Sequence, residues 1–139
     1  MSEIERQLAT ALEGVNAASP FNRLAGFGVA EASSGAVILA GSAAPELMNH
    51  AGALHAGVQA ALIDTACGFA AGTVAGNVVT VQMSLSFLAS AKGERFEARA
   101  RVTKAGRSQI FAAADLFALR GEEEEVLVAS GTAVLAKVG

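Results

Sequence analysis

The sequence predicts an α+β fold in which a long antiparallel sheet wraps around one buried helix. Residues 55–73 have helical periodicity, and Asp64 is their only charged residue, so this helix should be covered on most sides. Residues 78–137 contain four strand-like segments separated by short turns, which favours an antiparallel sheet. The composition, 53% hydrophobic and 17% charged over 139 residues, suits one core in a single domain spanning 1–139.

The segments before the buried helix are short. Ile4, Leu8 and Leu12 recur at four-residue spacing with charged residues between them, which is typical of an amphipathic helix. The predicted elements in chain order are a helix over 3–14, strands over 24–32 and 36–40 joined by a turn at 33–35, and an irregular loop over 41–54.

The segments after the buried helix alternate with a period of two. Between 78 and 89, five apolar residues from Val79 to Phe87 alternate with Thr80, Gln82 and other polar residues, which predicts a half-buried strand. Further strands are predicted near 95–103, 108–119 and 126–137, with turns at 105–106 and 121–125. Successive strands with short connections favour a meander.

Composition excludes several classes of function. The net charge is −3, the basic residues are scattered, and Trp and Tyr are absent, so a nucleic-acid partner is not expected. The single cysteine, Cys67, cannot form an intramolecular disulfide, which fits a reducing compartment. The apolar stretch 47–69 is interrupted by Asn, His and Asp, so no membrane partner is expected. We therefore expect a cytoplasmic protein, and the low charge content favours an oligomer.

Asp64 is the first candidate for chemistry. On a helix it lies away from the stripe formed by Val58, Leu62, Thr65 and Phe69. The other residues on its own face are all small: Gly57, Ala60, Ala61, Gly68 and Ala71. Such a face lets a backbone or a ligand approach closely. Two interpretations remain open, an acid/base residue or a carboxylate satisfied by a partner across a subunit contact.

The start of this helix is the second candidate. Small side chains at Ala56 and Gly57 leave the first helical N–H groups accessible, as an oxyanion site requires, although they could serve only tight packing. The spacing of His50, His55 and Asp64 fits no common metal site, so no metal is expected. Cys67 has no His/Asp partner pattern and is interpreted as a packed core thiol.

The pattern Asn49-x5-His55-Ala56-Gly57-x6-Asp64 resembles the hotdog-fold acyl-CoA thioesterases of the phenylacetic-acid-degradation (PaaI-like) type. The segments 79–92 and 104–108 resemble the same family, and the order of elements agrees along the whole chain. Two departures concern the shape of the substrate site. Ala56 stands where the family usually has the first Gly of His-Gly-Gly, and no Pro follows Ser90.

The resemblance implies a hotdog fold and hydrolysis of an acyl-CoA, with coenzyme A as part of the substrate and no separate cofactor. It implies that Asp64 activates water or attacks the thioester, while Thr80 holds the water. Ala56 N–H would polarise the carbonyl with help from Asn49, and His55 and Gly57 complete the site. The coenzyme A contacts it implies are Phe87, Leu88, Ala89 and Ser90 along the pantetheine arm, and Lys104, Arg107 and Ser108 at the phosphates. It also implies a site between two subunits, in a homodimer or a homotetramer built as a dimer of dimers.

Two other functions remain as alternatives. A hotdog dehydratase acting on hydroxyacyl thioesters would need a His paired with a carboxylate, and only His50 or His55 could supply it. A non-catalytic acyl-thioester binding protein would be free to lose Asp64, Asn49 and Thr80, yet all three are present.

Overall fold

The computed structural model describes all 139 residues. Its helices are α1 (Glu3–Ala18), α2 (Pro20–Ala25) and α3 (Ala56–Ala75), with a 3-10 turn at Pro45–Leu47. Its strands are β1 (Gly28–Ser33), β2 (Ala36–Ser42), β3 (Val78–Phe87), β4 (Arg95–Ala105), β5 (Gln109–Arg120) and β6 (Glu124–Lys137). The strands form one antiparallel sheet in the order β1-β2-β4-β5-β6-β3.

The sheet wraps around α3, which contacts all six strands. This confirms the predicted hotdog fold. α3 is long and apolar enough to cross a membrane, but its apolar character is explained by its place in the core. Its most buried face carries Gln59, Ile63, Ala66 and Ala70. Of the predicted stripe only Leu62 is fully buried, because the sheet covers this neighbouring face instead.

The predicted meander holds only for β4, β5 and β6, because β3 pairs with β6 at the far edge of the sheet. Residues 88–94 connect β3 to β4 by crossing the ends of the strands between them. Along this path Leu88 N–H donates to Val128 O and Glu94 N–H donates to Leu119 O, both at 2.8 Å. The short β3–β4 connection therefore does not join neighbouring strands.

The predicted strand over 24–32 is wrong in its first residues, which belong to α2. Pro20 occupies the first turn of α2, where its missing N–H costs nothing. The Ser19 hydroxyl caps this helix by accepting from Asn22 N–H at 3.3 Å. Gly26, at φ 73°, then ends it in the left-handed conformation. β1 consequently begins only at Gly28.

A β-bulge changes the face that β3 presents. The register against β6 shifts between Thr80 and Gln82, and a bulge of this kind reverses side-chain alternation. Val79 and Val81, predicted to face the core, are 49% and 53% exposed. Thr80, predicted to lie on the polar face away from the apolar one, instead reaches α3. The bulge therefore builds part of the candidate site.

Candidate active site

Asp64 and Thr80 form a hydrogen-bonded pair between α3 and β3. The Thr80 hydroxyl donates to Asp64 Oδ1 at 2.6 Å, a short distance typical of a hydroxyl bonded to a carboxylate. No Lys or Arg pairs with Asp64, and the residue is only half-buried. One carboxylate oxygen is thus oriented by Thr80, and the other, Oδ2, accepts no hydrogen bond within the chain.

The start of α3 presents one free backbone donor. His55 is the N-cap, and its Nδ1 accepts from Gly57 N–H at 2.8 Å. Because Nδ1 acts as the acceptor, the neutral ring carries its proton on Nε2. Ala56 N–H donates to no acceptor in the chain, and both Ala56 and Gly57 are exposed. Of the two N–H groups predicted to be accessible, Ala56 alone is free for an oxyanion.

Asn49 organises the loop that leads to this helix start. Its Oδ1 accepts from Ala51 N–H at 2.9 Å and from Ala53 N–H at 3.1 Å. The Asn49 N–H donates in turn to Ala53 O at 2.7 Å. Only the Asn49 Nδ2 group remains without an acceptor in the chain, so any assistance to a substrate carbonyl must come from that group.

The predicted pantetheine segment lies beside the helix start. Leu54 N–H donates to Ala91 O at 2.9 Å, which ties the loop before His55 to the end of the segment 87–90. Phe87 and Leu88 are about half exposed, and Ala89 and Ser90 are exposed as well. The structure therefore brings residues 87–90 close to the free donor of Ala56.

The predicted phosphate-binding turn lies at the other end of β3. Lys104, Arg107 and Ser108 are exposed at the β4–β5 turn, where Ser108 O accepts from Lys137 N–H at 3.0 Å. Lys137 pairs with Val78, the first residue of β3. Phe87 ends the same ten-residue strand, about 30 Å away at the usual rise of a strand. One chain does not bring both groups to one coenzyme A.

The two candidate catalytic groups are also separated within the chain. Ala56 is the first residue of α3, and Asp64 follows eight residues later. At about 1.5 Å rise per residue, they lie roughly 12 Å apart along the helix axis. A single thioester carbonyl cannot contact the N–H of Ala56 and the carboxylate of Asp64 from the same chain.

Cys67 and His50 take no part in this arrangement. Burial raises the pKa of the Cys67 thiol to about 12, with a further contribution from the Asp64 carboxylate, so the thiolate is disfavoured. His50 is exposed in the loop. No group of three or more His, Cys, Asp or Glu side chains lies close enough together to hold a metal ion.

One residue that supports the helix start was not predicted from the sequence. Gln59 is only 6% exposed on the core face of α3, and its Nε2 donates to Leu54 O at 2.9 Å. Its Oε1 is buried without a partner. The Nε2 bond fastens the segment that carries His55 and Ala56. Its only sequence signal would have been a polar residue on the buried face.

Three cavities have volumes of about 490 Å³ or more, and the one near Gly121 is lined by only five residues, which leaves two candidates. One of about 490 Å³ is lined by Asp64 and Thr80 together with residues of α1, α2 and α3. A second of about 570 Å³ lies on the outer face of the sheet. Both of its arginines are paired with carboxylates, since Arg99 binds Glu125 at 2.6 Å and Arg101 lies 3.7 Å from Asp115. The cavity at Asp64 is therefore the candidate active site.

Comparison with known proteins places the chain in a family. Residues 51–125 match the model of the thioesterase superfamily. A thioesterase family protein from Silicibacter pomeroyi is 34% identical, with a TM-score of 0.89 over 95% of this chain and 99% of that one. The chain belongs to the thioesterase superfamily, and this membership supports a function of the thioester-hydrolase type.

Two further solved structures have the same fold. Zebra fish thioesterase superfamily member 2 is 28% identical, with a TM-score of 0.81 over 96% of this chain and 97% of that one. The PaaI protein from the phenylacetic acid degradation operon of E. coli is 15% identical, with a TM-score of 0.86 over 97% and 96%. These matches confirm the resemblance to PaaI-type hotdog proteins. A search of curated protein sequences found no match.

Proposed function

We propose that the protein hydrolyses an acyl-CoA thioester to a free acid and coenzyme A. The hydrogen-bonded pair of Asp64 and Thr80 at a ligand-sized cavity carries this proposal. The Asp64 carboxylate takes a proton from water, or attacks the thioester carbon itself. Thr80 holds one oxygen of Asp64 and thereby orients the other. The thiolate leaves without a strong acid, so one carboxylate is sufficient.

The free N–H of Ala56 serves as the oxyanion donor in this proposal. Negative charge develops on the carbonyl oxygen during attack, and a backbone donor at the positive end of a helix stabilises it. The Nδ1 of His55 binds Gly57 N–H, so His55 fixes the helix start instead of acting as a base. The Nδ2 of Asn49 is the second donor available near this point.

The proposed site is shared between two copies of the chain. Ala56 and Asp64 are about 12 Å apart along α3. The Ala56 N–H of one chain must therefore act with the Asp64 carboxylate of a second copy. The residues assigned to coenzyme A, at 87–90 and at the turn near Arg107, likewise lie at opposite ends of β3. A two-fold arrangement brings each pair together.

The exposed edge of β3 is the surface proposed for this pairing. β3 bonds to β6 on one side only, and its ten residues contain no charge and no proline. Val79 and Val81 are about half exposed. A long apolar edge of this kind tends to pair with another strand. Antiparallel pairing of two β3 strands sets the Val78 end of one beside the Phe87 end of the other.

The experiment that tests the function is a panel of acyl-CoA substrates with a thiol reagent. Release of free thiol supports hydrolysis. Absorbance of an enoyl thioester without thiol release would instead support the dehydratase, and binding without turnover would support a non-catalytic protein. The dehydratase is disfavoured because Nδ1 of His55 is engaged by Gly57 and His50 has no carboxylate partner.

Mixing two inactive variants tests the shared site. Ala56→Pro removes the oxyanion donor and Asp64→Asn removes the carboxylate, each on its own chain. A mixed dimer of the two contains one intact site, so remixing should restore part of the activity. Failure to recover activity after confirmed subunit exchange would contradict the two-chain arrangement.

A further inference from the structure

Gln59 binds the two carbonyl groups that precede the free donor of Ala56. Its side-chain Nε2 donates to Leu54 O at 2.9 Å, and its backbone N–H donates to His55 O at 3.0 Å. No other group in the chain donates to Leu54 O. Leu54 is only 1% exposed, so water does not replace the side-chain bond. One residue of α3 therefore holds both peptide groups that lead into the helix.

These two peptide groups decide where the Ala56 N–H points. In a trans peptide the C=O and the following N–H point in opposite directions, so the direction of His55 O fixes that of the Ala56 N–H. The backbone of His55, at φ −55° and ψ 137°, joins this peptide group to the one that contains Leu54 O. Holding both carbonyls prevents rotation about the two bonds between them. An oxyanion donor is effective when its direction is fixed in this way before the reaction begins.

The amide of Gln59 has a cost that an apolar side chain would avoid. Gln59 is 6% exposed on the core face of α3, and its Oε1 is fully buried without a donor in the chain. A buried acceptor without a partner destabilises the folded state. The amide cannot flip to relieve this cost, because its oxygen would then face Leu54 O, which is also an acceptor. The benefit of an amide at this position is the one donor that it supplies to Leu54 O.

The loop before α3 is held by other bonds as well. Leu54 N–H donates to Ala91 O at 2.9 Å, and His55 N–H donates to Leu47 O at 3.0 Å. Both bonds remain when the Gln59 side chain is replaced. We therefore expect the loss of this amide to affect the direction of the oxyanion donor more than the stability of the fold.

We propose that Gln59 is a positioning residue for the hydrolysis, and that it acts through the Ala56 N–H by holding the two carbonyls before it. Gln59 itself contacts no substrate, because its side chain is buried in the core. The inference rests on the proposed function, in which Ala56 supplies the oxyanion donor. It adds that a buried amide on the core face of α3 sets the rate of bond breaking.

The first test measures kcat and KM for Gln59→Met in the thiol-release assay. Methionine is similar in length and has no polar end, so it removes both the bond to Leu54 O and the unpaired Oε1. A misdirected donor weakens the transition state, so kcat should fall roughly 10- to 100-fold. KM should stay within about threefold of the wild type, because ground-state binding is retained. An unchanged kcat in the folded variant would overturn the role of Gln59.

Gln59→Asn is the second variant, for the case in which the methionine protein does not fold. Its amide is one methylene shorter and does not reach Leu54 O, but it keeps a polar end and adds no bulk. Its kcat should fall by a similar factor, since the same bond is lost. A folded Gln59→Asn protein with the kcat of the wild type would likewise overturn the proposal.

Thr73→Val is the matched control on the same helix. The Thr73 Oγ1 lies near the other end of α3, where it accepts from Gly35 N–H at 2.8 Å and donates to Ala70 O at 2.6 Å. Valine keeps the shape of the side chain and removes both bonds. The variant should lose stability and retain the kcat of the wild type. A loss of kcat equal to that of Gln59→Met would show that any loosening of α3 slows turnover, which would overturn the specific role.

The second test combines Gln59→Met with Ala56→Pro, which has no N–H to direct. If Gln59 acts through that N–H, adding Gln59→Met to the proline variant should lower kcat by less than about twofold. The same loss in both backgrounds would show that Gln59 acts by another route, and would overturn this inference alone. If the wild type releases no thiol from any acyl-CoA, the proposed function itself fails, and this inference fails with it.

Discussion

Replacing Ala56 by proline removes one backbone N–H from the start of α3 and disturbs little else. Ala56 is the first residue of the helix, a position that proline occupies readily. The preceding His55 has ψ 137°, the extended conformation that a residue before proline prefers. The Ala56 N–H makes no hydrogen bond within the chain, so none is lost. We therefore expect the variant to fold with an unfolding temperature close to that of the wild type.

The expected loss of activity follows from the role of that N–H. Removing one oxyanion donor costs about 2.7–4 kcal/mol of transition-state stabilisation, or roughly 100- to 1,000-fold in kcat. Thiol release from the best acyl-CoA of the panel measures it. Glu3→Pro makes the same change at the first residue of α1, far from the site, and should leave kcat unaltered. A folded Ala56→Pro protein within threefold of the wild-type kcat would refute the oxyanion assignment.

Three further changes test other parts of the structure. Thr80→Val removes the hydroxyl that donates to Asp64 at 2.6 Å. A hydrogen bond to a charged group contributes about 1.5–3 kcal/mol, so kcat should fall roughly 10- to 150-fold. An unaltered kcat would show that this bond does not matter for turnover. In Cys67→Ala, the free energy of unfolding measured with urea should decrease less steeply with pH above pH 9. The folded-state pKa of Cys67 is raised from 9.0 to about 12, so its contribution is complete below pH 9 and declines by about 1.4 kcal/mol per pH unit above it; equal slopes would contradict this. Gly131→Ala would place a Cβ 2.5 Å from Leu85 Cδ2 and should lower the free energy of unfolding by about 1–3 kcal/mol, whereas an unchanged urea midpoint would show that the contact relaxes.

The buried helix and the sheet could be predicted because their signals are local. Asp64 is the only charge in residues 55–73, and such a helix must be covered whatever its neighbours are. The α2 helix was missed although its signals, a Ser19 cap followed by Pro20, are present in the sequence. The apolar residue Leu24 was placed at the start of the predicted strand over 24–32, but it is exposed in the structure.

The details of the candidate site depend on contacts that a sequence does not encode locally. The β3 bulge at Thr80 arises from its register against β6, and without that register simple alternation places Thr80 on the wrong face. Which N–H is free at the helix start depends on the side-chain conformation of His55.

The most direct test of the central claim compares Asp64→Asn with Asp115→Asn in the thiol-release assay. Asp115 is the matched control because it lies on the outer face of the sheet, where it accepts from the Ser130 hydroxyl at 2.7 Å. Losing the acid/base group should lower kcat about 100- to 10,000-fold in Asp64→Asn, with Asp115→Asn close to the wild type. Unchanged kcat in a folded Asp64→Asn protein would contradict the assignment of Asp64 as the catalytic carboxylate.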